Sequence, residues 1–75
     1  MVIISRFVSG YGLNLHISVI QEESTVWPDH ITLFIDIDSW FRVELPQSYS
    51  HEELEQAAED LVEDYLNNLV IEQDL

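Results

Sequence analysis

From Met1 to Leu45 apolar and polar residues alternate mainly with a period of two, and from Ser50 onward the period lengthens to that of a helix. Met1 to Val8 is dense in β-branched residues and reads as a strand. Ile3 and Phe7 fall on one of its faces, and Val2, Ile4 and Val8 on the other. With both faces apolar, that strand is covered on both sides or packs at a subunit contact. Ser9-Gly10-Tyr11-Gly12 follows as a turn with two glycines free to take positive φ. Leu13 to Ile20 then alternates cleanly, with Leu13, Leu15, Ile17 and Val19 on one face and Asn14, His16 and Ser18 on the other. The first two strands are expected to form a hairpin.

Gln21 to Asp29 loses the period, contains Pro28, and is the longest connection expected. His30 to Asp38 alternates again, placing Ile31, Leu33, Ile35 and Ile37 inward and Thr32, Phe34, Asp36 and Asp38 outward. A tight turn around Asp38-Ser39 leads to a strand from Trp40 to Leu45, with Phe41, Val43 and Leu45 inward and Trp40, Arg42 and Glu44 outward. Pro46 closes it, because proline cannot donate to a sheet ladder.

Ser50-His51-Glu52-Glu53 has the spacing of a capping box, in which the serine hydroxyl and the glutamate side chain satisfy each other's backbone amides. Both glutamates also suit the positive end of a helix. The helix is expected to run to about Val70, with the last five or six residues frayed. At 100° per residue, Leu54, Ala57, Ala58, Leu61, Tyr65 and Leu69 share one arc. Glu52, Glu53, Glu55, Glu59, Asp60, Glu63 and Asp64 fill the opposite arc with no base between them. The expected fold is α+β: an antiparallel sheet of about four strands and one C-terminal amphipathic helix on one face, in the order β-β-β-β-α, as a single domain over residues 1–75. The other sheet face would then show His16, Phe34, Asp36, Trp40, Arg42 and Glu44, and its aromatics point to a contact there.

Charge changes this picture from a small domain to a specialised one. Arg6 and Arg42 are the only strong bases against fifteen carboxylates, a formal net charge of −13. Residues 1–21 carry no carboxylate and a net charge of +1, so the remaining residues carry −14. Such imbalance is common in disordered chains, but 47% hydrophobic and 11% aromatic residues supply a core that those lack. Solubility alone asks for a net charge of only about 2 to 8 in a small domain. A one-signed field of this strength attracts basic partners and repels nucleic acid and anionic membranes, so direct binding to either is not expected. With no cysteine, disulfides and thiolate metal sites are excluded. No basic stretch precedes the N-terminal apolar run and no stretch approaches the ~20 apolar residues of a membrane span, so a cytoplasmic location is expected.

Like charges one helical turn apart weaken a helix, and Glu55–Glu59, Glu59–Glu63 and Asp60–Asp64 are three such pairs. Their side chains lie about 5–6 Å apart, close to the ~6–7 Å between phosphates of a strand rising 3.4 Å per nucleotide. The helix is thus expected to imitate a phosphate backbone, the other reading being a merely solvated face. Asp36 and Asp38 have a D-x-D spacing compatible with Mg²⁺, but a protein of this charge would repel the phosphate substrates such sites need. His16, His30 and His51 lack the spacing of a metal pair, no activated nucleophile stands out, and there is neither lysine nor a glycine-rich phosphate loop. No enzyme activity, metal or cofactor is expected. Trp27 is either a core anchor or an interface hot spot.

In size and charge the chain is similar to phage-encoded inhibitors that imitate DNA, including anti-restriction and anti-CRISPR proteins, and to small antitoxins of basic nucleases. The stretch from Ile31 to Leu69 resembles the partial RNase-H-like antitoxins, without the glycine and proline signature expected between their strands. These resemblances transfer no residue roles. Together with the residues they imply an acidic inhibitor that occupies the nucleic-acid-binding surface of a basic protein or ribonucleoprotein complex. The expected partner-binding residues are Glu22, Glu23, Trp27, Asp36, Asp38, Trp40, Glu44, Glu52, Glu55, Glu59, Asp60, Glu63 and Asp64. The competing expectation is a homodimeric assembly protein, using the first strand or the uncovered sheet face, whose acidity serves solubility.

Overall fold

The computed structural model describes residues 1–10 and 12–73, with the side chains of 13 and 70–73 left out. Four strands, β1 (Val2–Gly10), β2 (Leu13–Glu23), β3 (His30–Ile35) and β4 (Asp38–Pro46), precede one helix, α1 (His51–Gln73). The strands form one antiparallel sheet in chain order, and the helix lies across one of its faces. This is the expected β-β-β-β-α architecture.

Pairing register decides which side chains meet the helix. Ile4, Arg6 and Val8 sit opposite Val19, Ile17 and Leu15, so these six share the helix-covered face. On β3 and β4, Ile31, Leu33, Ile35, Phe41, Val43 and Leu45 join them. The helix contributes Ala58, Leu61, Val62 and Tyr65 to the buried core, flanked by Leu54, Ala57, Leu66 and Leu69. Ile17, Val19, Leu33, Ile35 and Val62 are wholly buried, and Phe41 meets Tyr65 edge to face at 5.3 Å. Val62, not among the inward residues expected from the helical period, joins that arc at its edge, next to Leu69.

The predicted capping box forms at the start of α1. The Ser50 amide donates to Glu53 Oε1 at 3.3 Å, and the Glu53 amide donates to the Ser50 hydroxyl at 3.2 Å. The helix continues to Gln73, past the expected end near Val70. Of the final residues expected to fray, 70–73 continue the helix, while 74–75 lie outside the described residues, as does Tyr11 of the first turn. Gly12 takes φ 76°, as the glycine-rich turn requires.

Three expectations are corrected. First, β3 stops at Ile35 and the turn is Asp36-Ile37, two residues earlier than the Asp38-Ser39 turn expected. The Asp36 carboxylate accepts from the Ser18 amide at 3.0 Å and the Ile37 amide at 2.9 Å, bonds that fix a turn instead of extending the ladder. Ile37, expected inward, is consequently half exposed, and Asp36 and Asp38 do not share a strand face. Second, β2 extends to Glu23 despite its polar end, because Gln21, Glu22 and Glu23 pair with Leu33, Thr32 and Ile31. The connection after it shortens to residues 24–29, where the Ser24 hydroxyl accepts from the Val26 and Trp27 amides. Third, a β-bulge between Val2 and Ile4 sets Val2 opposite Ile20, on the uncovered face and away from Ile4.

The core makes two stability predictions, both read by urea unfolding. Leu33→Ala should cost about 2–5 kcal/mol, since a wholly buried leucine leaves a cavity. Ser50→Ala should cost about 1 kcal/mol through loss of the cap. A loss below about 1 kcal/mol for Leu33→Ala would contradict this packing.

Candidate functional site

The apolar stripe of α1 fixes its rotation on the sheet, and that rotation turns the acidic arc outward. Glu52, Glu53, Glu55, Glu59, Asp60, Glu63 and Asp64 are all exposed. At 1.5 Å rise per residue the row from Glu52 to Asp64 covers about 18 Å. Neighbouring carboxylates therefore lie well inside the Debye length of about 8 Å at physiological salt and act as one field.

Local contacts relieve one edge of this row and not the rest. Glu59 meets Arg6 of β1 at 3.5 Å, with both side chains about half exposed, so the pair contributes little stability. Glu55 lies 2.8 Å from His51 one turn earlier, an ion pair only when that histidine is protonated. Asp60 accepts from the Gln56 amide group at 3.1 Å. No cation among the described residues lies against Glu52, Glu63 or Asp64. Beside Asp60 and Asp64 the helix and β4 leave an open groove of about 210 Å³ with Val43, Leu45, Ala57 and Leu61 as its apolar floor. The Arg6–Glu59 pair and this groove were not anticipated. The first was traceable to Arg6 alternating in step with Ile4 and Val8, but the second depends on how the helix crosses β4.

The structure separates the other expected partner-binding residues from the helix. Glu22 sits opposite Thr32, and Thr32 opposite Glu44, which puts both glutamates on the uncovered sheet face. Glu23, opposite Ile31, ends β2 on the helix side. Asp36 and Asp38 act locally: Asp36 holds the β3–β4 turn, and Asp38 accepts from the Trp40 amide at 3.3 Å. Trp40 is 90% exposed, and Trp27, in the β2–β3 connection, is 56% exposed and outside the core. Of the two readings of Trp27, the core anchor is thereby corrected. The described residues hold no group of three or more histidine or acidic side chains placed to bind a metal ion. None of their helices is long and apolar enough to cross a membrane.

Glu44 is held by several neighbours at once. The Thr32 hydroxyl donates to its Oε2 at 2.7 Å, and with a second hydrogen bond from Ser24 and the nearby Arg42 and His30 it keeps the carboxyl below its ordinary value of 4.5. Ser24 thus ties the Trp27 loop to β4.

Comparison with models of known protein families, with curated proteins and with solved structures finds no match for this chain.

A group whose folded pKa is lowered adds stability that is present above its unfolded value and is lost as pH falls through the folded one. The Glu44 contribution should therefore be complete above pH 4.5 and fade below it. Thr32→Val should move the Glu44 titration upward, measured by carboxyl NMR. An unchanged titration would remove the Thr32 hydroxyl as the principal cause.

Proposed function

We propose that this protein is an inhibitor that occupies the nucleic-acid-binding surface of a basic protein or ribonucleoprotein complex, presenting the outer face of α1 in place of a phosphate backbone. The observation that carries the reading is the set of seven exposed carboxylates on one helix, with no lysine or arginine on that helix. Its spacing suits arginine and lysine side chains arranged for successive phosphates. The groove beside Asp60 and Asp64 adds a place where the aliphatic stem of such a side chain can lie while its charged end meets the carboxylates. Inhibition is steric and electrostatic competition, with no bond made or broken. An anti-restriction or anti-CRISPR inhibitor and an antitoxin of a basic nuclease would both work this way, differing in the partner alone. Six of the residues expected from the sequence, Glu52, Glu55, Glu59, Asp60, Glu63 and Asp64, form this surface. Glu22 and Glu44 face the other way, and one flat groove does not reach both sides.

The test is affinity capture from host lysate with the wild-type chain and with Asp60→Lys/Glu63→Lys/Asp64→Lys. The Arg6–Glu59 pair is left intact so that the substitutions break no ion pair. The wild type should retain a basic nucleic-acid-binding protein that is released as salt rises and displaced by DNA or RNA. The triple variant should lose at least tenfold in affinity, about 1.4 kcal/mol. Equal retention by a folded triple variant would sink the mimicry reading and favour a partner bound elsewhere.

A further inference from the structure

The sheet face away from α1 has a different chemistry from the rest of the molecule. Register aligns Val2, Ile20 and Phe34 in one row across β1, β2 and β3, ending at Arg42 of β4, whose guanidinium lies 5.9 Å from the Phe34 ring. Val2 is 57% exposed, and Phe7, farther along β1 on the same face, is 64% exposed. Large apolar side chains grouped on an uncovered sheet face mark an interaction surface.

Several polar groups on this face already pair with one another. The Ser5 hydroxyl bonds His16 Nε2 at 2.8 Å and the Ser18 hydroxyl at 3.1 Å. Thr32 donates to Glu44, and Arg42 Nε donates to the Ser39 carbonyl at 2.8 Å. Groups paired in this way can be covered without leaving unsatisfied donors or acceptors, which is the main cost of burying a polar surface.

Charge identifies what can cover it. Most of the β1–β2 half of this face comes from residues 1–21, which contain no carboxylate, and Glu22 and Glu44 are the acids toward the far end of the face, whereas the helix on the other side carries eight. A basic partner is drawn to the helix side. Two copies of a −13 chain repel in most orientations, and the least repulsive approach sets their less acidic sheet faces together, each with Arg42 beside Glu22 and Glu44, and their helices outward. The molecule measures 39 × 21 × 16 Å, so a broad side offers an area close to the roughly 800 Å² per partner of a standard interface.

We infer that the uncovered sheet face is the interface of a homodimer, in which two copies pack sheet against sheet and display their acidic helices on opposite outer sides. The inference is independent of what the helices bind, and it would make any inhibitor of this kind bivalent.

Sedimentation equilibrium of the full chain at about 0.15 M and 0.5 M salt tests it. A dimer is expected, and it should tighten with salt because screening reduces the repulsion between helices. Partner capture responds to salt in the opposite sense, so failure of one reading is distinguishable from failure of the other. Phe7→Asp and His16→Asp, both at exposed positions, should each weaken the dimer at least tenfold while circular dichroism stays native. Asp60→Lys/Glu63→Lys/Asp64→Lys should leave it dimeric. A wild-type chain that is monomeric at about 0.1 mM would overturn the proposal. So would a dimer that survives both Phe7→Asp and His16→Asp, since β1 edge pairing leaves the β2 residue His16 away from the contact.

Discussion

Everything in this molecule depends on how α1 is seated on the sheet. Ala58, Leu61, Val62 and Tyr65 enter the layer made by Ile17, Val19, Ile31, Leu33, Ile35 and Leu45, and these residues are the buried core. A chain of 75 residues buries only about 60% of its unfolded surface and has little stability to spare. No disulfide supplements it. The helix therefore has one rotation that satisfies the core, and the same rotation projects its carboxylates into solvent. Core packing and acidic display are two consequences of a single contact.

That display works against the fold. Successive carboxylates at i,i+4 cost a few tenths of a kcal/mol per pair. The nearby cation, Arg6, compensates one edge through Glu59. Alternating lysine and glutamate on the same helix would have been more stable and equally soluble. The retention of one sign along the whole face is what favours a binding role over a solvated surface. The sheet side has a different pattern, with Ser5, His16 and Ser18 bonded among themselves and Thr32 bonded to Glu44 around an apolar row. The two faces are therefore suited to different neighbours.

Much of the architecture was legible because local signals agreed. The alternation of β2 from Leu13 to Val19 and the Ser50–Glu53 box each specify one structure, and both formed as expected. The misplaced β3–β4 turn has a nonlocal cause: Asp36 is held by the Ser18 amide, from a strand eighteen residues earlier. The bulge beyond Val2 likewise depends on how β1 registers against β2, and it moves one apolar residue to the other face. The extension of β2 through Gln21, Glu22 and Glu23 rests on pairing with β3, which outweighs their polar character. For the candidate site, the helical period was enough to group the acids of α1. It could not show that Glu22 and Glu44 lie across the sheet from them, because that follows from strand order and register alone.

The stability cost of the acidic face can be measured without knowing the partner. Thermal unfolding of Asp60→Asn/Glu63→Gln/Asp64→Asn should be compared with the wild type at low salt. Relief of the like-charge pairs by a few tenths of a kcal/mol each predicts a melting temperature higher by about 2–5 °C for a domain of this size. The gain should shrink as salt rises. A variant that melts at or below the wild-type temperature at low salt would mean that these carboxylates serve the fold and do not work against it.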